Sequence, residues 1–193
     1  ASALLVGLTL VATSPVATND DLLDMSLEEL MNVEVTSVSK KAQNKNATAA
    51  SIHVITSEDI RRGGFQSVPE ALRVVPGVQV SRIDANRWAI SIRGFRQEFS
   101  NKLLVLIDGR AVYTPLFGGV VWAEQNLAMQ DIERIEVIRG PGGAIWGANA
   151  VNGVINIMTK HTEDTQGALV SAHGGTQQYG ATTRYGVRLG VDT

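Results

Sequence analysis

The stretch Asp131–Lys160, DIERIEVIRGPGGAIWGANAVNGVINIMTK, decides the fold. It reads as strand, glycine-rich loop, strand. Glu133 to Arg139 sets charged residues beside Ile135, Val137 and Ile138, as a partly buried strand does. Gly140, Pro141, Gly142, Gly143, Gly147 and Gly153 then punctuate a loop that needs tight turns or close backbone approach. Val154 to Thr159 is β-branched and apolar again, which predicts a second strand. Glycine-rich loops after a strand can also cradle phosphate. Here no Lys-Ser or Lys-Thr follows the glycines, and no periodic helix follows Gly147. A purely structural loop is the reading the residues favour.

Upstream, the pattern is a mixture of short strands and short helices. Ile52–Ile55 is predicted as a strand. Thr56-Ser57-Glu58-Asp59 opens a short helix that ends at Gly63-Gly64. Ser67-Val68-Pro69-Glu70 has the form of a second capping box, and its helix stops before Pro76-Gly77. Val78–Ser81 and Ala89–Arg93 flank a polar turn at Asp84–Arg87. Leu103–Ile107 is a continuous apolar run, consistent with a buried central strand. Asp108-Gly109 is a type I′ turn signal into Ala111-Val112-Tyr113. The fold class is therefore α+β: a small domain with a mixed sheet and short helices.

The two ends differ from this middle. Ala3–Val16 is apolar, rich in small residues and too short for a spanning helix. It reads as a truncated signal-peptide remnant over residues 1–17. Ala17 is a suitable last residue and Pro15 a poor one three positions from the cut. The rival reading is a hydrophobic helix of the mature protein. Residues 18–50 form an N-terminal extension. In it Ser26-Leu27-Glu28-Glu29 caps a predicted helix over Leu22–Met31, Val33–Val38 favours extended backbone, and Lys40–Ala50 reads as a flexible linker. At the other end, Ala181, Thr183, Tyr185, Val187 and Leu189 alternate with Thr182, Arg184, Gly186 and Arg188. Ala168–His173 is a weaker copy. Two-fold alternation suits a barrel strand with one face to lipid and one to the lumen; a soluble amphipathic hairpin has the same period.

Composition excludes several classes. The 193 residues carry a net charge of −2, which gives no general pull toward nucleic acid or anionic membrane. Cysteine is absent, so there is neither a disulfide framework nor a thiolate metal site. His53, His161 and His173 are far apart and lack ligand spacing. No metal, cofactor or catalytic residue is expected, because no nucleophile, base and orienting group stand at a recognisable spacing.

The ordered run ERIEVIRGP, the small-residue loop with Trp146-Gly147-Ala148-Asn149-Ala150, and GVINIMTK resemble the plug domain of TonB-dependent outer-membrane receptors. The upstream order SIHVITSEDI, EALRVVPGV, ISIRGF and VLIDGRAVY resembles the same family, so the resemblance spans about Val33 to Lys160. It implies a plug domain over residues 51–160, followed over 161–193 by the first one or two strands of a transmembrane β-barrel. Such barrels have about 22 strands, each of roughly 9–11 residues. On this reading the chain is the first piece of a longer receptor or a truncated product.

The implied function is gating of energy-coupled uptake of a scarce nutrient, such as a ferric siderophore, cobalamin or haem, with no covalent chemistry. The implied partners are TonB, with ExbB and ExbD at the inner membrane, the receptor's own barrel, the nutrient and outer-membrane lipid. The implied location is a Gram-negative outer membrane with the N-terminus in the periplasm. Val33-Glu34-Val35-Thr36-Ser37 resembles the TonB box; its rival reading is an ordinary first strand. Arg93 and Arg139 match the positions of a plug–barrel ionic latch; without barrel carboxylates they should be exposed or paired with Glu133 or Glu136. Substrate contact is expected from loops at 84–88, 95–101 and 113–122, carrying Arg87, Trp88, Arg96, Tyr113, Phe117 and Trp122. Trp88 and Trp122 could equally pack on the barrel wall or in the plug core. Two alternatives stand beside this reading: a soluble plug-like binding module without a barrel, and an enzyme with a phosphate loop at Gly140–Gly147.

Overall fold

A computed structural model describes residues 34–35, 43–44, 51–94, 97–174 and 179–187. The predicted signal remnant, the helix over 22–31 and residues 45–50 of the linker lie outside the described residues.

The centre is a five-stranded mixed sheet. Its strands are β3 (Ile52–Thr56), β6 (Leu103–Ile107), β7 (Arg110–Ala111), β8 (Ile132–Arg139) and β9 (Gly153–Thr159), in the order β3-β8-β9-β6-β7. The β3–β8, β8–β9 and β6–β7 pairs are antiparallel, whereas β6 and β9 run parallel. The strand–loop–strand stretch thus supplies the two inner strands. Leu103–Ile107 is buried as predicted but is not central. It lies second from the edge, beside a β7 of only two residues.

Period-two alternation gives this sheet two apolar faces. On one, Ile55, Ile90, Ile92, Val105, Ile135, Val137, Ile155 and Ile157 form the main core. It is closed by Ile60 of α1 (Ser57–Gly63), by Val68 and Ala71 of α2 (Val68–Ala71), and by the hairpin of β4 (Val78–Arg82) and β5 (Trp88–Ile92). The other face holds Ile52, Leu104, Leu106, Ile138, Ala150 and Val154, with Trp146 packed on them. Glu136 is also fully buried, between Ile135 and Val137 of β8. Arg134 stands two residues away on the same face and donates from Nε to its Oε1 at 2.9 Å. A bulge between Ile132 and Arg134 shifts the register there. Arg134 also bonds Glu133 through Nη1.

The local signals were obeyed unevenly. Around α1, Thr56 and Asp59 form the reciprocal capping box, and Gly64 ends the helix at φ 62°. The second box does not form. Ser67 makes no side-chain cap, and Glu70 instead accepts from Gln66 N at 3.0 Å. With Pro69 in the first turn, α2 is a single turn that tightens into a 3₁₀ turn at Leu72–Val74. Asp108 and Gly109 both have positive φ, as a type I′ turn requires. Asp108 also binds across the sheet to Thr159 N and Oγ1, at 2.8 and 2.9 Å. The glycine-rich loop is not featureless. It contains the helical turn α3 (Gly143–Trp146), which places Trp146 on the second core. Gln43–Asn44 (β2), predicted as linker, pair antiparallel with Glu34–Val35 (β1) in a separate two-stranded sheet.

Gly153 opens β9 where backbones meet. A Cβ there would sit 2.4 Å from the Ile138 carbonyl oxygen and 2.9 Å from Ile92 Cδ1. Gly153→Ala should therefore force β8 and β9 apart and destabilise the domain by about 1–3 kcal/mol. Urea unfolding followed by the fluorescence of the buried Trp88 and Trp122 measures it. An unchanged midpoint would show that the strands yield at no cost.

Candidate functional site: two ends of one sheet and a two-faced hairpin

The β4–β5 hairpin carries the polar turn away from the sheet. Asp84 organises it: Oδ1 accepts from Asn86 N at 3.0 Å and Arg87 N at 2.9 Å, and Oδ2 accepts from Arg87 Nε at 2.5 Å. The Arg87 hydrogen bond, then the two backbone amides, lowers the Asp84 pKa; the same bond raises that of Arg87. Arg87 also reaches Glu98 at 3.6 Å, linking this turn to the loop before β6. Phe99 of that loop stacks on Phe117 with ring centroids 5.0 Å apart. Phe99 also lies against Gly119, where a Cβ would be 2.7 Å from its Cα. The three loops expected to contact substrate therefore converge.

Their candidate residues do not share one environment. Arg87 and Phe117 are exposed and Tyr113 is half-buried. Arg96 lies outside the described residues. Trp88 and Trp122 are core residues, 7% and 8% exposed. Arg73 and Arg82 place their guanidinium groups 5.4 and 5.2 Å from the Trp88 ring. Both tryptophans show only an edge, to a cleft of about 200 Å³ shared with Glu70, Arg82 and Asn126. Their large apolar area is better satisfied inside than on a loop.

Arg93 and Arg139 lie together at the end of the sheet where Ser51 enters β3. Arg139 donates to Pro76 O at 2.8 Å and to Ser51 Oγ at 2.6 Å. Arg93 is exposed, in the left-handed region at φ 56°. Its two terminal nitrogens lie 4.0 Å from where a Cβ on Gly140 would be. Glu133 and Glu136, the local partners the sequence offered, are both engaged by another arginine, Arg134. Glu136 is also three residues from Arg139, on the opposite face of the strand.

Beyond β9, β10 (Gly167–Gly174) and β11 (Tyr179–Gly186) form an antiparallel hairpin in full register. Val170, Tyr179, Tyr185 and Val187 point outward, and the tyrosines are 90% and 76% exposed. Leu169, Ser171, His173, Thr182 and Arg184 take the other, half-buried face. No helix among the described residues is long and apolar enough to cross a membrane. Nor do three or more His, Cys, Asp or Glu side chains gather there as a metal would need.

Residues 44–154 match the family model described as the TonB-dependent Receptor Plug Domain. The chain belongs to that family. It is 38% identical over 128 residues to the vitamin B12 transporter BtuB of Vibrio vulnificus, covering 65% of this chain and 20% of that protein. Among solved structures, its fold matches the alcaligin outer-membrane receptor FauA of Bordetella pertussis. There the TM-score is 0.54 and identity 21%, covering 66% of this chain and 21% of that one. It also matches the ferric yersiniabactin uptake receptor FyuA of Yersinia pestis. That TM-score is 0.51 and identity 23%, covering 72% and 20%. The chain thus spans about a fifth of the length of these proteins.

Within the plug, the chemistry that sequence reading overlooked is Glu98, Phe99 and Asp84. Asp84 and Arg87 stand three apart, an Asx-turn spacing that was visible. Nothing local to Glu98 or Phe99 revealed that their partners come from other loops.

The lowered Asp84 pKa makes the loop end sensitive to acid. A depressed carboxylate stabilises the fold above the unfolded value, near 3.9, and that contribution is lost as pH falls through the folded value. The Asn86 and Arg87 amide resonances should stay fixed through neutral and mildly acidic pH and move together only below about pH 4. Movement nearer pH 6 would mean another group orders the turn.

Proposed function

We propose that this plug sits within a transmembrane β-barrel of a Gram-negative outer membrane and gates energy-coupled uptake of a scarce, bulky nutrient. The observation that carries this is the hairpin after β9. Its polar side lies against the plug and its tyrosines and valines face away, the division a barrel wall needs between lumen and lipid. A soluble plug-like module would leave that apolar face in water. Residues 51–160 form the plug on this reading, 161–193 begin the barrel, 1–17 are the signal remnant, and 18–50 reach into the periplasm.

The convergent loops are the proposed contact surface for the nutrient, with Tyr113, Phe117 and Arg87 as its side chains. Vitamin B12 and ferric siderophores head the candidates, because relatives bear those names. The relatives are transporters and receptors, which supports transport without covalent chemistry.

Coupling is assigned to the segment Val33–Ser37. Glu34 and Val35 are described and already extended on one side against Gln43–Asn44; Val33, Thr36 and Ser37 lie outside the described residues. A TonB strand would add to the free edge or replace β2, the backbone mode of peptide recognition. ExbB and ExbD would energise that pull. Val35→Pro removes a backbone donor and restricts Glu34. In the receptor that carries this plug, it should abolish uptake of radiolabelled vitamin B12 or a ferric siderophore yet leave binding unchanged. Tyr113→Ala with Phe117→Ala should do the reverse, weakening binding first. Normal uptake by Val35→Pro would move the coupling strand elsewhere.

Arg93 and Arg139 are the proposed latch to barrel carboxylates. The local bonds of Arg139 are to a carbonyl and a hydroxyl, and Arg93 is exposed, which leaves guanidinium charge for such partners. Replacing both with Ala should raise passive sucrose entry in liposome swelling. A rate equal to the parent's would remove the latch.

A further inference from the structure

The latch arginines stand at one end of β8. At its other end, about 25 Å away by strand rise, the plug meets the hairpin through a second polar contact. Asp131, in the 3₁₀ turn that leads into β8, lies 3.3 Å from Arg184 Nε of β11. The N–H does not point at the carboxylate, so this is a charge pair rather than an aligned hydrogen bond. Beside it, Gln130 Nε2 donates to Ser171 Oγ of β10 at 3.0 Å. Arg184 also bonds the Thr165 carbonyl, and Lys160 N donates to Asp131 O at 2.8 Å. The turn before β8, the exit from β9 and both hairpin strands are thereby gathered at one point. Both charges are about three-quarters covered, so water screens them only in part.

We infer that Asp131 with Arg184, supported by Gln130 with Ser171, is a second plug–wall anchor, at the opposite end of β8 and of opposite polarity. At the latch end the plug offers cations. Here it offers an anion to a cation on the wall. One anchor lets a rigid strand pivot; two fix its direction, and unlike polarity penalises docking end-for-end. Arg184 is suited to this place because strand alternation turns it inward while Thr183 and Tyr185 face out. This inference rests on the barrel reading above.

The test uses the receptor that carries this plug, with Gln130→Cys and Ser171→Cys added; none of the 193 native residues is a thiol that would compete. A short bismaleimide reads the contact directly, and sucrose entry in liposome swelling reads plug seating. Arg184→Asp sets two carboxylates face to face. It should lower cross-link yield several-fold and raise swelling several-fold. The reciprocal exchange Asp131→Arg with Arg184→Asp should restore both readouts, whereas a merely structural arginine would not be rescued. Unchanged cross-linking in Arg184→Asp, or an exchange no better than the single variant, overturns the anchor. So does failure of both variants to assemble; assembly of the exchange alone supports it. Heat-modifiable migration of the parent from the outer-membrane fraction reports on the barrel reading itself, so the two failures are distinguishable.

Discussion

The pairing of β8 with β9 is the constraint on which the rest of the structure depends. Each strand buries side chains on both faces, so neither can lie at an edge. Seven register pairs join them, from Ile132–Thr159 to Arg139–Gly153. Close approach at the last pair is possible because residue 153 has no Cβ. The loop between them must then turn back over the second face within thirteen residues, 140–152. It does so with Gly142 N bonded to Ala150 O at 2.8 Å and Gly140 N to Asn152 O at 3.1 Å. The glycines that suggested a phosphate cradle are spent on this folding-back. Asn152 N meanwhile reaches Lys102 O at 2.9 Å and seats β6 beside β9.

That pairing also explains why unburied polar side chains collect at the two ends of the sheet. Its faces are occupied by apolar clusters, and Glu136, the one fully buried carboxylate among the described residues, is held by Arg134. A buried charge kept in this way contributes little net stability, but loss of its partner would be costly. Free polar chemistry is left to the strand ends and loops: Arg93 and Arg139 at one end, Asp131 at the other, and the Asp84–Arg87–Glu98 group beyond the β4–β5 hairpin. In that last group Arg87 is already shared between two carboxylates. Its charge is largely balanced before any ligand arrives, so the exposed Phe117 and Leu116 give the loop end an apolar rather than a cationic character.

Much of this was legible in the sequence because it rests on local rules. The strand–loop–strand stretch, the Thr56 capping box, the Asp108-Gly109 turn and the alternation after Gly167 each use interactions within a few residues. Misreadings came where partners are distant. Leu103–Ile107 has the composition of a central strand, but its neighbour on one side is a two-residue stub. Ser67 and Glu70 have capping-box spacing, yet Glu70 serves Gln66 instead. The tryptophans were candidates for a ligand surface because aromatic residues on loops suit one. Both join the main core, and Trp88 is flanked by Arg73 and Arg82 from outside its own strand, which its segment does not disclose. Arg184 could be placed on the lumen face by alternation, but nothing in the sequence joins it to Asp131.

The hairpin carries the argument from fold to membrane. Its two strands satisfy each other's backbone along one side only, and a sheet edge in lipid would leave donors and acceptors without partners at several kcal/mol each. An outward face bearing Val170, Tyr179, Tyr185 and Val187 has the opposite difficulty in water, where it would be an exposed apolar patch. The proposed barrel removes both penalties, with the sheet closed, the tyrosines at or near the lipid boundary and the polar face turned in. The plug meets that inward face through the Asp131 carboxylate and the Gln130 amide. Such contacts hold position without the strong, non-directional adhesion of a hydrophobic interface. Under the proposed gating role, a plug that seals at rest and rearranges under load is suited by attachment at a few polar points along one strand.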